Sequence, residues 1–96
     1  MTQSDNAKRY GRSAEGEQSS VGDRVVLYHR VSQKALVLNP TGSAIWGMLS
    51  TPCTATEIVN TLGETHRGVP PGVVERDVED FLAELRLHEL IVEFRS

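Results

Sequence analysis

Four side chains here belong to types that bind metals or attack electrophiles: His29, His66, His88 and the single cysteine, Cys53. Three imidazoles could in principle hold zinc, but they fall in a strand, a loop and a helix end, and no other ligand type clusters around them. Cys53 stands between Pro52 and Thr54 at the start of a helix, a position that could lower a thiol pKa. No histidine lies near it in sequence to serve as its base. The sequence has no phosphate-cradling glycine loop, no paired metal-ligand spacing and no nucleophile elbow. The chain therefore reads as a non-enzyme, with no metal or cofactor expected.

What remains is the chemistry of recognition. Five acids, Glu75, Asp77, Glu79, Asp80 and Glu84, stand against one base, Arg76, on a stretch of helical periodicity. They form either a solvated face or a patch for a basic or amphipathic peptide. Trp46 reads as core, with the wall of a peptide groove as its alternative.

The elements that position these groups centre on one corner. Lys34 to Leu38 reads as a strand, and Asn39 and Pro40 lead it straight into a helix. The Asn39 side chain can accept a free N–H of the first turn, and Pro40 suits the first helical position. This first helix runs over Pro40–Leu49, with Gly42 and Gly47 weakening it by roughly 1 kcal/mol each relative to Ala. Gly42 and Gly47 also let another backbone approach.

Before the corner, Arg24 to His29 is β-branched and aromatic and predicts a strand, paired with Lys34 to Leu38 as a hairpin. Val21 to Asp23 reads as a turn. Alternation is blurred in both strands, so either Ala35 and Val37 or Leu36 and Leu38 could face a partner. After the corner, Thr54 and Glu57 fit a capping box that opens a second helix over Ala55–Leu62, ended by Gly63. Thr65 to Gly72 reads as a loop. A third helix follows over Val73–His88, with Val74, Val78, Phe81, Leu82 and Leu85 as its apolar stripe. Leu90 to Phe94 is a last strand or a tail packed on the core. The fold class is α+β, winged-helix-like, with a small antiparallel three-stranded sheet packed on three helices.

Residues 1–20 are polar, with Tyr10 their only large apolar group, and read as largely disordered or partly strand-forming. Met1–Ala7 is the disordered part, while Lys8–Ala14 could add a strand. The folded domain is placed at residues 21–96. With 96 residues, one small core is feasible. A net charge of −3 argues against nucleic acid as a partner. One cysteine, no apolar run of membrane length and no apolar N-terminal segment make the cytoplasm the expected location.

Taken in order, Leu38 to Trp46 (Leu-Asn-Pro-Thr-Gly-Ser-Ala-Ile-Trp), Thr54 to Ile58, Asp77 to Leu85 and the closing Leu90 and Ile91 resemble the PqqD family. These are precursor-peptide recognition domains of ribosomally made, modified peptides. The resemblance spans about residues 24–94, and its Leu38–Trp46 segment is the most specific part. It implies a small winged-helix-like domain without catalysis of its own. Such a domain binds a leader peptide as an added strand on Lys34, Ala35, Leu36, Val37 and Leu38, in a cleft walled by the third helix. The bound leader is then presented to a modifying enzyme, commonly a radical-SAM maturase. Val73 and Phe81 are the expected apolar contacts, and Arg76, Asp77 and Asp80 the polar ones. Family members usually have a strand leading into the hairpin, which here would come from Lys8–Ala14. Glu89 stands where the family often has Gly. An unpaired strand edge would also serve a second copy of the chain. The rival reading is a winged-helix DNA-binding or regulatory domain, which would need a basic recognition helix.

Overall fold

The computed structural model describes residues 8–94; Met1–Ala7, expected to be disordered, lies outside them. Among the described residues the order is β1 (Arg9–Arg12), β2 (Gly16–Val21), β3 (Arg24–His29), β4 (Ala35–Leu38), α1 (Pro40–Met48), β5 (Cys53–Thr54), α2 (Ala55–Thr65), α3 (Pro71–Leu87) and β6 (Ile91–Phe94). The α+β, winged-helix-like reading holds, with one correction: there are two antiparallel three-stranded sheets, ordered β5-β1-β6 and β2-β3-β4.

The polar N-terminal region supplies both extra strands. Arg9–Arg12 does form a strand, but in the sheet with β5 and β6. The strand that leads into the hairpin is β2, which crosses the boundary expected after residue 20. Nothing apolar holds β2 except the exposed Val21 at its end. Its ladder to β3 and a set of polar contacts hold it instead. Arg30 donates to Glu17 (3.0 Å), to Glu15 (3.3 Å) and to the Ala14 carbonyl (3.0 Å). Trp46 Nε1 donates to Gln18 Oε1 at 2.8 Å. Gly22, at φ +64°, makes the two-residue turn into β3, a conformation open to Gly at little cost.

The helices follow their capping chemistry. Asn39 Oδ1 accepts from Gly42 N at 2.7 Å, with Pro40 at the first helical position. Thr54 and Glu57 exchange both capping-box bonds (3.1 and 2.9 Å). α2 runs past Gly63 to Thr65, three residues beyond the expected end, because Leu62 O accepts from His66 N and Thr65 Oγ1 and so carries the last turn. α3 begins two residues earlier than expected, at Pro71, which fits the first turn as Pro40 does. At its far end Leu90 N bonds Leu85 O and Glu89 N bonds Arg86 O, the paired bonds of a Schellman motif, with Glu89 at φ +60°.

Every element except β2 and β5 sends at least one buried apolar side chain to a single core. Leu27, Ile45, Leu49, Ile58, Val78, Leu85 and Leu90 are its best-buried members, with Tyr10 and Ile91 closing it from the other sheet. Trp46 is core as read, 3% exposed, and the Arg12 guanidinium stacks 4.4 Å from its ring centre. Arg12 also donates to the Trp46 carbonyl at 2.6 Å, so Trp46, which holds Gln18 as well, ties a strand of each sheet to α1.

Candidate functional site

β4 is an edge strand, and its hydrogen-bond phase follows from one bond. His29 N donates to Lys34 O at 2.9 Å, so this facing pair is of the hydrogen-bonded kind. Such pairs alternate along an antiparallel ladder. Leu27 with Leu36 and Val25 with Leu38 are therefore bonded, while Tyr28 opposite Ala35 and Val26 opposite Val37 are not. The main-chain N–H and C=O groups of Ala35 and Val37 point away from the sheet, along an edge with no neighbour among the described residues. The side chains divide the same way. Leu38 is buried, Leu36 is half-buried against the core, and Ala35 and Val37 are exposed on the outer face. The blurred alternation is thus resolved: Leu36 and Leu38 hold the strand down, and Ala35 and Val37 offer the edge.

The loop that sets this register is held from inside. His29 is buried, and its Nδ1 accepts from Ser32 N at 3.0 Å and Val31 N at 3.3 Å. His29 is therefore a loop clamp.

Where β4 ends, a groove begins. It has a volume of about 290 Å³ and lies between α3 and the first turns of α1. Asn39, Thr41, Gly42 and Ile45 form one side, and Asp77, Asp80, Phe81 and Glu84 the other. A Cβ on Gly42 would stand 3.1 Å from a Phe81 ring carbon, so the missing side chain is what lets the ring lie against α1. Thr41 and Asp77 also border a second cavity of about 60 Å³, which Leu62, His66, Val69 and Val74 complete.

The residues singled out from sequence divide across this geometry. Asp77, Asp80 and Phe81 line the groove; Val73 and Arg76 do not, lying a turn nearer the start of α3 and exposed. Lys34 is exposed, and its carbonyl is spent on the His29 bond. Asn39, Thr41, Gly42, Ile45 and Glu84 were not among the expected contacts. Gly42 carried a signal, since a small residue in the first turn of a helix permits a close approach.

The reactive side chains fall elsewhere. Cys53 Sγ points to the Met48 carbonyl at 3.7 Å. Burial, followed by the charge of Glu57, pushes its thiol pKa up, and the nearby Arg9 offsets this only in part. The depressed thiol that a helix start could give is therefore not what forms. His66 and His88 each place Nδ1 3.0 Å from the carbonyl four residues earlier in their own helix. Among the described residues no group of His, Cys, Asp or Glu is arranged to hold a metal. No helix there is long and apolar enough to cross a membrane.

A small winged-helix-like domain with a free strand edge running into a groove is built as a binding domain. Its sequence matches the family of coenzyme PQQ synthesis protein D (PqqD) over residues 24–91, and the chain belongs to that family. Among solved structures, TbiB1 in complex with the TbiA(beta) leader peptide is 30% identical, with a TM-score of 0.76 over 90% of this chain and 99% of that one. Lasso peptide synthetase B1 complexed with its leader peptide shares the fold at 17% identity, with a TM-score of 0.73 over 86% of this chain and 96% of that one. No curated protein matches.

Proposed function

We propose that this chain binds the leader of a ribosomally made precursor peptide as an added strand on β4 and presents it, without catalysis of its own, to a modifying enzyme. The observation that carries this reading is the β4 edge. Ala35 and Val37 present four main-chain groups unpaired among the described residues, beside a groove, which is the geometry of recognition by strand addition. Family membership and the likeness to TbiB1, solved with a leader peptide, support it. Leu36 and Leu38 fix the strand, Lys34 stands at its start, and Asp77, Asp80 and Phe81 wall the path beyond Asn39. Val73 and Arg76 extend that wall by one turn. A radical-SAM maturase is the enzyme that PQQ-type chemistry would supply. The rival DNA-binding reading lacks a basic helix, since α3 carries five acids between Glu75 and Glu84.

The test is calorimetric titration with a synthetic leader of the precursor encoded beside this protein's gene. Saturable one-to-one binding with Kd below about 100 μM is expected. No heat of binding at that concentration, together with no exchange protection along β4, would refute the proposal.

A further inference from the structure

Three carboxylates of one groove stand without an ion-pair partner among the described residues, as do Asp23, Glu64, Glu75, Glu79 and Glu89 outside it. Glu15, Glu17, Glu57 and Glu93 each meet an arginine or lysine within 4.0 Å. Asp77, Asp80 and Glu84 have no such partner among the described residues, although all three line one groove. They sit at spacings of three, four and seven on one face of α3, where like charges repel. Between them and α1 the apolar surface on offer is the partly buried Phe81 ring, which lies against the backbone at Gly42 over the buried Ile45. An apolar surface rimmed by carboxylates matches a side chain with an apolar stem and a cationic head, which describes lysine and arginine. The face of Phe81 adds a second attraction for the cation.

Resting on the reading above, we infer that the leader presents lysine or arginine to this groove, from the segment that continues past Asn39 after pairing with β4. Asp77 to Glu84 covers about 10 Å of helix. Same-face side chains of an extended peptide recur about every 7 Å. The groove therefore accommodates one or two cations, the second two residues after the first. A second copy of the chain is the poorer occupant. An edge-to-edge pair of β4 strands would bring two such acidic walls together, and each chain already carries a net charge of −3.

The experiment uses the same synthetic leader on the intact protein. A triple variant, Asp77→Asn with Asp80→Asn and Glu84→Gln, is expected to weaken binding about tenfold at low salt, or about 1.4 kcal/mol. It should also flatten the salt dependence that the native protein shows. Asp80→Lys should weaken it further and regain affinity for a leader whose groove-facing cation is changed to glutamate. A triple variant that binds within about twofold of the native protein, with unchanged salt dependence, overturns the cation inference. If Val37→Pro weakens binding about tenfold or more in that same series, strand addition stands without it. A native protein that ignores the leader overturns both. A free protein that sediments as a dimer, more so at high salt, and excludes the leader assigns the groove to a second copy and overturns the inference.

Discussion

Proline substitution along β4 separates binding from folding residue by residue. The amide of Val37 points outward, because the bonded pairs of the β3–β4 ladder are His29 with Lys34, Leu27 with Leu36 and Val25 with Leu38. Val37→Pro therefore removes a donor that only a guest strand uses. Its ring would sit where the guest's carbonyl must approach, and its demand for extended backbone at Leu36 is already met. One lost main-chain bond, with the guest's carbonyl left unpaired, costs about 1.5–3 kcal/mol, or roughly ten- to 150-fold in Kd. The folded state should change by no more than about 1 kcal/mol, since no ladder bond is touched. Leu36→Pro is the opposite case. It deletes an N–H bonded to Leu27 and a half-buried apolar side chain, and about 3 kcal/mol or more of stability should go with them. Ser20→Pro, on the outward phase of the opposite edge strand β2, is the control and should leave binding unchanged. Calorimetry with the leader and thermal denaturation give the two readouts. Hydrogen exchange adds a third: the Ala35 and Val37 amides should be unprotected when free and slowed in the complex. A Val37→Pro protein that binds like the native one, or a Leu36→Pro protein of native stability, would refute the assigned phase.

Two further outcomes follow from residues away from the groove. Glu89→Gly should stabilise the fold by about 0.5–1 kcal/mol and raise Tm by several degrees, because it relieves a left-handed residue at the end of α3 while the Schellman bonds persist; a lower Tm would count against it. Cys53 should alkylate with iodoacetamide more slowly than a free thiol at pH 8, with Glu57→Gln accelerating the reaction and Arg9→Gln slowing it further. Its folded pKa is raised, so its contribution to stability is complete below the unfolded thiol pKa and is lost as pH rises through the folded one. Labelling as fast as that of a free cysteine would contradict the burial argument.

Local chemistry made much of this fold readable from sequence. Asn39 and Pro40, the Thr54–Glu57 box and the Val74–Leu85 stripe act within one or two turns, and each forms as its residue types dictate. β1 and β2 were hard to read for the opposite reason: their partners are distant. Tyr10 closes a core built by later elements, and Gly11 has room for the Phe94 ring, which would stand 2.9 Å from a Cβ there. Gln18 finds Trp46, and Glu15 and Glu17 find Arg30, across 28, 15 and 13 residues respectively. None of these leaves a periodic trace. The site divides likewise. Phe81 stands out as a member of a helix's apolar stripe, and Asp77 and Asp80 as the acids that flank it. The outward phase of Ala35 and Val37 could not be read from four consecutive apolar residues; the His29–Lys34 bond sets it from the neighbouring loop.

Among the described residues the second sheet has two free edges, and their difference is an argument for which one suits a guest strand. On β2 the outward-pointing residues are Gly16, Gln18 and Ser20. Gly16 already donates its N–H to Ser13 O at 3.1 Å, and the Gln18 side chain is held by Trp46. Neither cavity described above is lined by a residue of β2. β4 is shorter, but both of its outward residues keep their main-chain groups, and its end opens into the groove at Asn39. Main-chain bonds alone would attract any extended chain to either edge; pockets beside the edge are what select a sequence. The polar contacts that make β2 invisible in the sequence therefore serve β4. They hold β3 in place from the far side and spend part of the competing edge on the protein's own structure, leaving β4 as the edge equipped to discriminate.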